Sequence, residues 1–137
     1  MKFRKTEFRK LNARQKENFN FQKVAAILAD YGFVSMRLSD DWRGADFIAQ
    51  HVSGKPLRVQ LKGRLALDKR YRGKMLYLAF PDRGIWYLAP HDKLLDKVLR
   101  ATTIGSTASW KKRGAYSFVR VPQKVLSLID PYRVSTL

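Results

Sequence analysis

Apolar residues between positions 12 and 32 fall along one side of a helix. Phe21, Val24, Leu28 and Tyr31 recur at the spacing of a single helix face, with Ile27 beside them. Asn12 is placed to cap the first turn and Gly32 to stop the last. After Gly32 the period shortens. Phe33–Leu38 (FVSMRL), Ala45–Val52 and Pro56–Lys62 read as three strands, separated by a polar loop over 39–44 and a Ser53-Gly54 turn. Residues 63–74 form a basic connection. Met75–Phe80 and Ile85–Leu88 read as two more short strands around Pro81-Asp82-Arg83-Gly84, a strong turn signal. Helical spacing returns at Leu94, Leu95, Val98 and Leu99 within Asp92–Arg100. The Thr/Ser/Gly-rich stretch 101–109 reads as a loop, Tyr116–Val121 as a strand, and Pro122–Ile129 as a short helix with proline in its first turn. The tail after Pro131 is expected to be loose. Trp42, Trp86 and Tyr87 read as core or rim aromatics.

A helix, then a meander of strands, then helices implies an α/β or α+β arrangement around one mixed sheet. Residues 1–11 precede the pattern and read as a mobile basic arm. That leaves 12–137 as a single domain, long enough to bury a core. At 45% hydrophobic and 12% aromatic, the chain is a folded protein and not a disordered basic tail.

Charge narrows the class further. Lys and Arg number 28 against 11 Asp and Glu, a formal +17. Charge that serves solubility alone is about 2–8 for a small domain, so this excess points to a polyanion, with nucleic acid the commonest. The cations are grouped. One set runs through residues 2–23. A second holds Lys55, Arg58, Lys62, Arg64, Lys69, Arg70, Arg72 and Lys74. A third, Lys111-Lys112-Arg113, adjoins Trp110, a pairing that suits either a phosphate-gripping, base-stacking groove or an ordinary solvated loop. Cysteine is absent, which excludes disulfides, zinc–thiolate sites and a cysteine nucleophile. His51 and His91 alone make no histidine-rich metal cluster. The N-terminus MKFRKTEFRK lacks the apolar run of a signal peptide, and no stretch is apolar enough to span a membrane. The expected location is the cytoplasm, without a membrane partner.

Chemistry concentrates in the second and third strands. Alternate strand residues share a face, so Gln60 and Lys62 point one way and Val59 and Leu61 the other. Asp46 opens the preceding strand. A two-residue loop at Ser53-Gly54 would set Asp46 opposite Leu61. A three-residue loop or a bulge would set it opposite Gln60 or Lys62. An odd loop or a bulge is therefore expected, bringing acid, amide and amine together on one sheet face.

On these residues the chain resembles the PD-(D/E)XK nuclease superfamily. The resemblance spans roughly residues 13–90. It rests on a helix ending in Asp30-Tyr31-Gly32-Phe33, a strand, Gly44-Ala45-Asp46-Phe47, and then Val59-Gln60-Leu61-Lys62. Tyr71-Arg72-Gly73 and the run Ile85–Pro90 add to it. The superfamily motif is Asp, a hairpin-sized gap, then Glu/Asp-x-Lys. Here Gln60 takes the second acidic position, a Gln-x-Lys variant found in some restriction enzymes.

The resemblance implies an α/β, restriction-endonuclease-like fold: a central mixed β-sheet flanked by helices. It implies metal-dependent cleavage of DNA phosphodiesters with Mg²⁺ or Mn²⁺. The metal would be held by Asp46, the Gln60 amide oxygen, the Leu61 carbonyl and an acid of the first helix, Glu17. Gln22 is the other candidate on that helix. Lys62 would orient water or stabilise developing charge. Loss of one charge at Gln60 calls for compensation, for which Asp40, Asp41 and Glu17 are at hand. Arg43, Arg64, Lys69, Arg70, Arg72, Lys74, Trp110, Lys111, Lys112 and Arg113 would contact the nucleic acid, DNA first and RNA second. A homodimer would suit cutting of two strands. The alternative reading is a non-catalytic nucleic-acid-binding protein on the same fold.

Overall fold

The computed structural model describes residues 1–136. Helix α1 spans Ala13–Ala29. Asn12 caps it as the sequence predicts: its side chain accepts from the Gln15 amide, and Gln15 returns the bond. Phe21, Val24 and Leu28 are buried. Tyr31 is not on that face. The helix ends before it, and its exposed ring sends its hydroxyl to the Val134 carbonyl. Ahead of the helix, Phe8–Lys10 form a 3-10 turn, and Phe8 packs on Phe19 with ring centroids 5.2 Å apart.

Five strands make the main sheet: β1 (Phe33–Trp42), β2 (Ala45–His51), β3 (Pro56–Leu61), β5 (Leu76–Asp82) and β6 (Ile85–Pro90). Their order is β1-β2-β3-β5-β6, antiparallel except for the parallel β3–β5 pair. A second, two-stranded sheet joins β4 (Ala66–Asp68) to β7 (Ala115–Ser117). Helices α2 (His91–Ala101), α3 (Ala108–Arg113) and α4 (Gln123–Ile129) complete the fold. None of the helices is long and apolar enough to cross a membrane among the described residues.

Two cores lie on the two faces of the sheet. Phe21, Val24 and Leu28 of α1 meet Phe47, Ala49, Val59 and Ala79 on one. Leu78, Phe80, Tyr87 and Ala89 meet Leu94, Leu95, Val98 and Val125 on the other. Trp86 and Tyr87 are core residues, 7% and 4% exposed, whereas Trp42 is 51% exposed.

Several elements depart from the sequence reading. β1 runs past Leu38 to Trp42, because Arg43 and Gly44 both take positive φ (54° and 87°) and turn the chain in two residues. Between Arg37↔Phe47 and Trp42↔Ala45 the register slips, and Leu38–Asp41 bulge opposite Asp46 alone. The turn at 81–84 shrinks to Arg83-Gly84, with β5 continuing through Pro81 to Asp82. The basic connection holds β4 and a 3-10 turn at Lys69–Tyr71.

The expected loop at 101–109 gives way to a 3-10 turn (Ile104–Ser106) and to α3, which Thr107 caps and left-handed Gly114 ends. The Tyr116–Val121 strand is cut to β7. The tail after Pro131 is docked, not loose. Tyr87 pairs with Arg133, the Val134 amide donates to the Trp86 carbonyl at 3.0 Å, and the Trp86 amide donates to Ser135 Oγ at 2.7 Å. The otherwise unpaired edge of β6 explains this: its free peptide groups need partners, and the tail supplies them.

Candidate active site

Strand parity decides where Asp46 points. The β2–β3 ladder runs Phe47↔Val59, Ile48↔Arg58, Ala49↔Leu57 and Gln50↔Pro56. The His51 amide bonds the Lys55 carbonyl at 3.0 Å, closing a three-residue loop of Val52, Ser53 and Gly54. This is the odd loop that parity demands. Continued by one step past Phe47↔Val59, that register would set Asp46 opposite Gln60. In the parallel pair Gln60 lies beside Leu78, which belongs to the second core. That neighbour explains why Gln60 is only 4% exposed.

Asp46 is half-buried, and one carboxylate oxygen accepts the Leu61 amide at 2.7 Å. Burial pushes its pKa up, since it penalises the charged form. The Leu61 amide and Lys62 pull it down, while Glu17 and Asp41 push it up. Asp46 is thus the electrostatic centre of the predicted set. Glu17 of α1 reaches its neighbourhood and pairs with Arg37, which also donates to Asn18. Gln22 does not come to the site; it is exposed and lines a separate groove with Phe19 and Lys23. The β1 bulge carries Asp40 and Asp41 to the cleft. Asp41 accepts the Gly44 amide at 2.6 Å. Glu17, Asp40, Asp41 and Asp46 line one open cleft of about 620 Å³ with Arg14 and Arg37.

Lys62 lies one residue past β3, its amide bonded to the Ala79 carbonyl at 2.9 Å. Its ammonium stands 6.0 Å from the centre of the Tyr71 ring, and the Arg70 guanidinium 4.9 Å from the same ring. Tyr71, which sequence reasoning named only as part of the resemblance and without a role, is thus a neighbour of Lys62. It packs against Gly44, where an added Cβ would come within 2.9 Å of the ring and 2.8 Å of Leu76. The proximity of Gly44 to Asp46 and of Tyr71 to the basic connection was the available signal.

The oxygens fit a hard divalent cation. Asp46 retains a second carboxylate oxygen, and the Gln60 amide oxygen is buried without a hydrogen-bond partner. The Leu61 backbone adjoins the Asp46 carboxylate. The carboxylates line the cleft without converging: among the described residues no three of His, Asp or Glu form a metal-binding group.

Two basic clusters that are distant in sequence come together here. β4 pairs with β7, and the Lys69 amide bonds the Gly114 carbonyl at 2.8 Å. Lys69 therefore lies at the end of the helix that carries Lys111–Arg113. Lys62 and Arg113 line one groove of about 230 Å³. Arg64, Lys69, Arg70, Arg72 and Lys74 are exposed, although Arg70 pairs with Asp68 and Arg72 with Asp96. Trp110 is partly buried against the second core, with Lys111, Lys112 and Arg113 exposed beside it.

No protein-family model matches the chain, and no curated protein matches it in sequence. Solved structures do. A Holliday junction resolvase, Hjc of the archaeal hyperthermophile Archaeoglobus fulgidus, is 18% identical, with a TM-score of 0.43 over 56% of this chain and 74% of that one. A bacterial homing endonuclease, I-Ssp6803I, is 16% identical, with a TM-score of 0.50 over 89% of this chain and 86% of that one. At such low identity the second likeness speaks for the fold alone, and it agrees with the mixed sheet and flanking helices described above: the chain has an α/β, restriction-endonuclease-like fold.

Proposed function

We propose that the chain is a metal-dependent DNA endonuclease. The observation that carries this reading is the half-buried Asp46 carboxylate bonded to the Leu61 amide, next in the chain to the unpartnered Gln60 amide oxygen, with the Lys62 charge felt at Asp46. Asp46, Gln60, the Leu61 carbonyl and Glu17 are the groups that would hold Mg²⁺ or Mn²⁺. When bound, such a cation supplies Lewis-acid stabilisation of charge on the scissile phosphate.

The rest falls to the chain itself. Arg113, Lys111 and Lys112, with Arg43, Arg64, Lys69, Arg70, Arg72 and Lys74, place phosphates without reading sequence. Lys62, whose charge acts on Asp46, is the group that would orient water or stabilise the developing oxyanion. Two such sites are needed to cut both strands of a duplex, so a homodimer belongs to this reading.

A specific observation favours a second reading, a DNA-binding protein without catalysis. The second acid is replaced by Gln60, and Glu17 is engaged by Arg37. A cleavage assay on duplex, nicked, flap and junction DNA, with Mg²⁺ or Mn²⁺ and an EDTA control, separates the two. The nuclease reading expects metal-dependent cutting that falls by at least about a hundredfold in both Asp46→Ala and Lys62→Ala while DNA binding persists. Binding without cutting on every substrate with either metal establishes the second reading.

A further inference from the structure

Trp42 breaks the usual economy of a small protein, leaving 51% of its surface in solvent at the end of β1. Two guanidiniums flank it. That of Arg43 lies 5.8 Å from the ring and that of Arg58 lies 5.5 Å. Arg58 is anchored from the far side, where it donates to the Lys74 carbonyl. Neither arginine joins an ion pair among the described residues. The patch thus presents a half-exposed indole beside two cations that join no ion pair among the described residues.

The patch is continuous with the cleft. Arg43 and Gly44 turn the chain into β2, two residues before Asp46, and Gly44 is wedged against Tyr71, whose ring faces Lys62. Farther along β1 the sheet face that carries Val34 and Met36 is bare, with Met36 50% and Val34 62% exposed. Helix α2 covers this face only over β5 and β6.

We propose that Trp42, between Arg43 and Arg58, is a stacking platform for an unpaired base of a DNA strand whose backbone then enters the Asp46 cleft. The substrate class that follows is DNA carrying unpaired nucleotides next to the cleavage position, in place of uninterrupted duplex. Charge selects the polyanion, since two guanidiniums outside any ion pair suit two flanking phosphates. Ring geometry selects the unpaired base: inside a duplex both faces of a base are already stacked, and an indole cannot reach them. The inference rests on reading the chain as a DNA-binding protein.

The test is binding in EDTA, so that cutting plays no part. Full-length protein is titrated with a blunt duplex and with the same duplex bearing a single-stranded overhang. Trp42→Ala is expected to weaken overhang binding by about tenfold, with Trp42→Phe retaining most of it because a π-face remains. Blunt-duplex affinity stays nearly unchanged in both. Indole fluorescence is quenched more by overhang DNA than by blunt duplex in the wild type, and that excess is lost in Trp42→Phe. Equal losses on both DNAs, or none, would overturn the proposal while leaving the DNA-binding reading in place. Failure of the wild type to bind either DNA at low salt overturns both. Sedimentation covers the remaining occupant: a dimer that dissociates on Trp42→Ala would assign this face to a second copy of the chain and overturn the proposal.

Discussion

Gln60 stands where a carboxylate would add a second negative charge beside Asp46. In its present form the side chain is buried with a free acceptor oxygen, neutral and therefore cheap to bury compared with an ion. Gln60→Glu reverses that balance. In EDTA the variant is expected to lose roughly 2 kcal/mol of stability, from a buried carboxylate close to Asp46. Mg²⁺ should then raise its unfolding temperature by more than it raises that of the wild type, because a ligand that binds only the native state stabilises in proportion to affinity. Thermal unfolding with and without metal reads both effects, and equal metal shifts in the two proteins would remove Gln60 from the site. The three-residue loop between β2 and β3 was legible in the sequence because strand alternation is strict: one loop residue more or less would turn Asp46 to the opposite face. Tyr71 was not legible. Its contacts with Lys62 and Gly44 cross between segments far apart in the chain, and no periodicity records them.

Helix α2 holds the basic connection through its first turn. Asp92 accepts from the Gly73 amide at 3.0 Å and from His91 Nδ1 at 2.8 Å, Asp96 pairs with Arg72, and the His91 ring meets Tyr71 edge-on. Burial works to raise the Asp92 pKa, but the His91 and Gly73 hydrogen bonds, with His91 and Arg72 nearby, outweigh it and hold the carboxyl below its usual range. A carboxyl whose pKa is lowered on folding stabilises the native state above its unfolded pKa. That contribution is lost as pH falls through the lowered value. Asp92→Ala is therefore expected to cost roughly 1 kcal/mol at neutral pH, with the gap to the wild type closing in acid. Urea unfolding across that range measures it, and a pH-independent gap would deny Asp92 its charged role. The same scale shows what sequence patterns carry. The Asn12 cap and the α1 face were readable from local spacing. So was α3 in retrospect: Thr107 and Gly114 bracket it, but its Thr/Ser/Gly-rich approach outweighed them. β4, β7 and the docked tail depend on partners remote in sequence, which local patterns do not encode.

For the molecule as a whole, charge was plain from composition, but its layout was not. Pairing of β4 with β7 fuses two basic clusters into one surface beside Lys62. DNA affinity should fall linearly with log salt, and each phosphate contact removed, as in Lys111→Ala or Arg113→Ala, should lower the slope by about 1 without changing sequence preference. An unchanged slope in both variants would take these residues off the DNA path. The parallel seam between β3 and β5 governs something else, the order in which the protein assembles. The β1–β2–β3 meander and the β5–β6 hairpin close over two or three residues each, whereas the seam encloses the chain from Lys62 to Met75. Closure entropy grows with the length enclosed, so the two modules form before they join. Refolding kinetics check this: Ala49→Gly, inside the meander, should slow folding, and Leu78→Ala, at the seam, should chiefly speed unfolding. Asp46 and Gln60 then face each other early, and Lys62 and Tyr71 reach them only in the last step, so a half-folded chain carries the acid and the amide but has no lysine in place.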